Sequence, residues 1–185
     1  MISDEQASDK AWCLSGDGAA ALLNYVEGAA ESMFSRDGHL CVTALLWSYR
    51  DGEMEMDVFP AHDVPGDCGD FKAFFEAAVR VLAYRIDAFA LAVVAEAVAV
   101  QTPEGATIAE GKALLQRPEL RSEIVVIAFE HPALPHASCA STSVVTRRIP
   151  GDTESPGTLG PWNHIGGDAA IYGSFTALLP GARGN

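Results

Sequence analysis

Apolar residues recur along this chain with two different periods, and the changes of period mark out its elements. From Gly18 to Phe34, the residues Leu22, Leu23, Val26, Ala30 and Met33 fall on one face at helical spacing. Ser15 or Asp17 can accept from the first free N–H groups, and Arg36-Asp37-Gly38 ends the helix on a residue that tolerates a left-handed backbone. His39 to Tyr49 is instead rich in β-formers and apolar on both faces, the pattern of an inner strand. The Asp51-Gly52 pair that follows suits a two-residue hairpin turn. The return strand, Glu53 to Phe59, alternates strictly: Met54, Met56 and Val58 point one way, Glu53, Glu55 and Asp57 the other.

Beyond a turn-rich connection from Pro60 to Gly69, Asp70 caps a second helix that runs to Ile86. Its apolar face reads as Phe71, Phe74, Phe75, Ala78, Val81 and Leu82, with Tyr84 and Arg85 at the margin and Lys72, Glu76 and Arg80 outward. Phe89 to Val100 suits helix or strand by composition; an exit from the preceding helix at Asp87 and a stop at Thr102-Pro103 favour a strand. Residues 101–120 form a long loop with a helical turn over Ile108 to Gln116. Ser122 to Glu130 and Ser141 to Ile149 read as further strands, residues 150–168 as an irregular surface excursion, and Ala169 to Leu179 as a closing edge strand or docked helix.

The chain thus divides into a polar leader, residues 1–16, and one α+β unit, residues 17–185. The element order α-β-β-α-β-β-β implies an antiparallel sheet of about five strands with both main helices on one face. In this order the chain resembles profilin-like and roadblock-like domains, a likeness of element order that by itself implies no function.

Charge adds a location. The formal net charge is -13, and seven carboxylates with no Lys or Arg lie between Asp51 and Asp70, whereas residues 71–150 hold eight acids and eight bases that cancel. Basic residues are scattered and only Arg147 and Arg148 adjoin, so neither nucleic acid nor an anionic membrane is expected as a partner. The longest apolar run, Ala88 to Ala95, is far below the roughly 20 residues a bilayer requires. The first ten residues hold three acids and one base with no apolar stretch behind them, the reverse of a secretory leader, so a cytoplasmic location is expected. Cys13, Cys41, Cys68 and Cys139 form no C-x-x-C pair and read as free thiols, Cys41 as a small buried hydrophobe in a strand and the others in loop-like sequence.

Two residue sets could carry function. The first is Asp51, Glu53, Glu55, Asp57, Asp63, Asp67 and Asp70, which either solvate a sheet face or form a negative field that selects a basic partner. A calcium loop is excluded, because Met56 stands where that loop needs glycine and His62 where it needs a bidentate glutamate. The second set is His62, Cys68, His131, His136 and Cys139, side chains suited to metal or nucleophilic chemistry whose spacing matches no established signature. No metal, cofactor or catalytic residue is therefore assigned. Gly105 to Lys112 miscounts a phosphate loop by one residue and places Ala113 where a hydroxyl belongs. Glu96 interrupts an apolar strand and needs a partner, Arg121 or Arg147. These readings favour an acidic interaction module for a basic protein surface. Two alternatives stay open: a small enzyme or ligand-binding protein with a loop-built His/Cys/Asp site, and a homo-oligomeric domain, for instance a homodimer, joined through a sheet edge or helix face.

Overall fold

The structure, a computed structural model, describes residues 2–64, 70–103, 105, 107–134, 138–148, 157–166 and 178–179. Two short helices, α1 (Asp4–Ser8) and α2 (Lys10–Cys13), occupy the segment read as a polar leader, and the long helix α3 (Gly16–Asp37) follows at once. Ser15 caps α3 by accepting from Gly18 N–H, and Gly38 ends it in the left-handed conformation. Gly18 is required sterically, since a side-chain carbon there would collide with the Trp12 carbonyl oxygen at the end of α2.

Then come β1 (Thr43–Arg50), β2 (Glu53–Pro60), α4 (Phe71–Ile86), β3 (Ala90–Val100), the short helix α5 (Ile108–Leu115), β4 (Arg121–Glu130), β5 (Ser138–Arg147), β6 (Gly157–Leu159) and β7 (Asn163–Gly166). The order of the main elements is the expected one, and the sheet has seven strands because β6 and β7 both join the outer side of β5. All pairings are antiparallel, in the order β2-β1-β3-β4-β5-β6. Residues 150–156 and most of the Ala169–Leu179 segment lie outside the described residues.

The two main helices lie on opposite faces, which corrects the expectation that both share one. Leu45 and Trp47 of β1, Ala90, Ala92 and Val94 of β3 and Val125, Ile127 and Phe129 of β4 form one core with Leu22, Val26, Ala30 and Phe34 of α3. Ala44, Leu46, Leu91 and Val93 turn the other way and pack with Phe75, Val79 and Ala83 of α4. The physical reason is the strands themselves: β1 from Ala44 to Trp47 and β3 from Ala90 to Ala95 are apolar at consecutive positions, so each face must be covered. Each large side chain fully buried this way contributes about 1.5–3 kcal/mol.

Helix α4 is also turned about its axis by about a quarter-turn from the predicted face. Phe75, Val79 and Ala83 are its buried residues, while Phe71, Phe74, Val81 and Tyr84 are exposed. Its apolar arc is wider than the sheet can cover, so periodicity alone does not choose the covered part. Among the thiols, Cys41 precedes β1 and is exposed, against expectation; Cys13 is buried and Cys139 partly so.

Candidate functional site

The acidic hairpin is built by its turn. Asp51 and Gly52 both adopt positive φ, the twist that folds β1 back on β2 in register from Arg50↔Glu53 to Thr43↔Pro60. That register puts Met54, Met56 and Val58 on the α3 side of the sheet beside Tyr49, Trp47 and Leu45, and puts Glu53, Glu55 and Asp57 on the α4 side beside Arg50, Ser48 and Leu46. Strand β2 ends the sheet, and no described strand pairs with its outer edge. Glu53 and Glu55 are exposed and Asp57 half-buried, while Met56 and Val58 are 39 % and 52 % exposed on the opposite face.

The ladder is partly neutralised from within. Arg50 places Nη1 3.2 Å from Glu55 and Nη2 3.2 Å from Asp57. One guanidinium thus bridges two of the three carboxylates on that face. The remaining acids do not extend this surface as a unit. Asp63 sits in a short turn with His62 Nε2 3.6 Å away, and Asp70 spends one carboxylate oxygen on Ala73 N–H as the N-cap of α4. Asp67 lies outside the described residues.

The second residue set is dispersed. His131 is fully buried at the end of β4, its ring stacked on Phe129 and edge-on to Phe89. Ala133 N–H donates to Nδ1 at 3.1 Å, so Nε2 carries the proton and donates it to the Cys13 carbonyl at 2.9 Å. Burial pushes this imidazole below its ordinary pKa, and the neutral ring serves as a strut between β4 and α2. Cys139 lies on β5, its thiol pushed up by burial and by nearby Glu27, which keeps it protonated and a poor nucleophile. His62 follows β2, four strands away from Cys139 in the sheet and so about 19 Å distant in strand spacings alone. Cys68 and His136 lie outside the described residues, and among the described residues no group of three or more His, Cys, Asp or Glu side chains is placed to hold a metal ion.

Three polar clusters escaped the sequence reading in whole or part. Glu27 is buried on the core side of α3, where its Oε1 accepts from Ser141 Oγ at 2.6 Å and lies 2.8 Å from His164 Nε2; one turn on, Glu31 accepts from Trp162 Nε1 at 2.8 Å. A carboxylate four residues after Leu23 on an apolar helical face was the available signal. Ser141 donates to the carboxylate and not to the imidazole, so the group lacks the nucleophile–base contact of a catalytic triad and instead ties β7 to α3.

The second cluster centres on Arg147, which reaches Glu123 at 2.7 Å and Glu96 at 3.4 Å, donates to the Gly38 carbonyl and stacks over Phe34. It is the partner that Glu96 was expected to need; Arg121 instead donates to the Leu115 carbonyl at 2.7 Å. Its cation sits at the C-terminus of α3, where the helix dipole favours positive charge. In the third cluster, fully buried Glu130 accepts the backbone N–H groups of Leu178 and Leu179 at 2.8–3.0 Å, fixing that part of the chain beside the α4-side core. All three clusters join elements.

Comparison with protein-family models, curated proteins and solved structures finds no match for this chain. No described helix is long and apolar enough to cross a membrane.

Proposed function

We propose that the protein is an interaction module that receives an extended basic segment of another protein along β2. The observation that carries this reading is the segregation of β2: an outer edge unpaired by any described strand, three carboxylates on one face, and Met56 and Val58 exposed on the other. A strand added to that edge gains main-chain hydrogen bonds, and its side chains fall alternately on the two faces. A partner alternating Lys or Arg with Val or Ile therefore matches the edge position by position. Arg50, held between Glu55 and Asp57, keeps the carboxylates spaced in the free protein, so the partner's cations meet a prearranged row.

The test is fluorescence anisotropy with a labelled alternating Lys-Val octapeptide. Binding should weaken steeply as salt rises from about 0.05 to about 0.5 M, across which the Debye length shrinks well below the strand spacing of the ladder's ends. Reversing Glu53, Glu55 and Asp57 to Lys together should abolish it while leaving the chain folded with only a small drop in the melt, since the ion pairs lost with Arg50 are partly exposed. Unchanged binding by the reversed protein, or binding indifferent to salt, would sink the reading.

A further inference from the structure

The quarter-turn of α4 leaves a pattern on its outward flank. Along the helix stand Asp70, Phe71, Phe74, Ala77, Ala78, Val81, Tyr84 and Arg85, a sequence symmetric about the midpoint between Ala77 and Ala78. At about 100° per residue these eight positions lie within a sector of about 140°, on the side away from Glu76 and Arg80. Phe71, Phe74, Val81 and Tyr84 are 39 %, 42 %, 59 % and 78 % exposed, Ala77 is exposed and Ala78 half-buried. Solvent-facing apolar residues at this density on one helix mark an association surface.

We infer that this flank of α4 is the seam of a two-fold homodimer in which the two α4 helices cross antiparallel at Ala77-Ala78. Reversal about that centre pairs Phe71 with the second copy's Tyr84, Phe74 with its Val81 and Ala77 with its Ala78. Large residues meet large ones at both ends, and the two alanines let the helices approach closely in the middle. The charges agree: Asp70, at the N-terminus of one helix, faces Arg85 in the last turn of the other, and the relation holds twice by symmetry. Opposed helix dipoles add to this. An isologous contact needs such a self-complementary patch, and an unrelated partner would have no reason to impose the palindrome. The seam spans about 23 Å of helix. That is a small interface, at the low end of specific contacts, so dissociation in the micromolar range follows.

Sedimentation equilibrium of the full chain tests the assignment. The wild type should pass reversibly from monomer to dimer over micromolar concentrations. Val81→Glu should be monomeric with an unchanged melt, and Tyr84→Glu, at a still more exposed position, should behave likewise. Arg85→Glu should weaken the dimer about tenfold at low salt, because both Asp70 contacts become repulsive, and by less at high salt. The Glu53, Glu55 and Asp57 reversal should leave the dimer intact, which separates this surface from the β2 edge. A wild type that stays monomeric to about 1 mM overturns the inference. So does a dimer indifferent to Val81→Glu or one lost on reversal of the β2 acids. A monomeric wild type whose melt falls on Val81→Glu would place another segment of the same chain over the stripe, and also overturns it.

Discussion

Replacing His131 with glutamine should flatten the pH dependence of stability on the acid side of neutrality. In the folded chain the ring is fully buried, accepts at Nδ1 from Ala133 and donates from Nε2 to the Cys13 carbonyl, so a second proton at Nδ1 would have to displace the Ala133 N–H inside the core. Its pKa is accordingly pushed down from the ordinary value of 6.5 by burial. Released by unfolding, the same ring takes up a proton below about pH 6.5. The unfolded state then binds more protons than the native state, and stability falls as the pH drops. The slope reaches about 1.4 kcal/mol per pH unit between the unfolded and the folded pKa, and vanishes above the unfolded one. For a domain of this size, 1 kcal/mol moves the melting temperature by about 2–4 °C. Glutamine can still donate to the Cys13 carbonyl but carries no titrating group, and the lost ring stacking and the Ala133 contact should cost about 1–3 kcal/mol at every pH. Urea titrations of both proteins at intervals from pH 7.5 to 5.5 should therefore give curves that converge as the pH falls. Curves parallel within about 0.3 kcal/mol would refute the buried, neutral assignment.

Arg147→Met should destabilise the fold by about 2–4 kcal/mol by urea titration: it removes the cation shared by Glu96 and Glu123 and its contact with the Gly38 carbonyl at the end of α3, the partial exposure of both carboxylates holding the loss below that of a fully buried pair. A loss under about 1 kcal/mol would show that the cluster is solvated and contributes little. Ser48→Ala should act in the opposite sense, because its fully buried hydroxyl finds no hydrogen-bond partner among the described residues; a gain of about 1 kcal/mol is expected, and destabilisation would contradict it.

What the sequence displayed depended on how many faces of an element meet water. Strand β2 is an edge with solvent on much of both sides, so its alternation survives intact and assigns every side chain to its face. Strand β1 is apolar at four consecutive positions, Ala44 to Trp47, which identifies it as central and, pressed one step further, demands a layer on each side; the opposite placement of α3 and α4 was implicit there. The face of α4 was not legible, because a helix apolar around more than half its circumference satisfies several orientations equally and only the sheet decides. The binding of His131 to Cys13 and of Glu130 to Leu178 and Leu179 joins positions 118 and 48 or 49 residues apart, with no local pattern to announce either. Glu27 alone among the missed residues left a trace, a charge on the apolar side of α3.

The N-terminal helices give the acidic edge its direction. Cys13 is buried with its sulfur 3.9 Å from that of Met54, Tyr49 donates to the Ser8 carbonyl at 2.5 Å, and His131 holds the Cys13 carbonyl from below. These three contacts roof the α3 side of the hairpin near its turn, so Met54 is partly covered while Met56 and Val58 further along the strand stay open. Among the described residues no such roof lies over the carboxylates on the other side, where Glu53 and Glu55 are exposed. On the proposed reading, a strand added at β2 would meet charge from Glu53 to Asp57 on one face but open apolar surface only toward the Pro60 end on the other. For such a partner, this asymmetry would set where its apolar residues sit, and with them the register in which it adds. On that reading, loosening the roof by His131→Ala, which removes the donor to the Cys13 carbonyl, should expose Met54 and relax that register without touching a single acid.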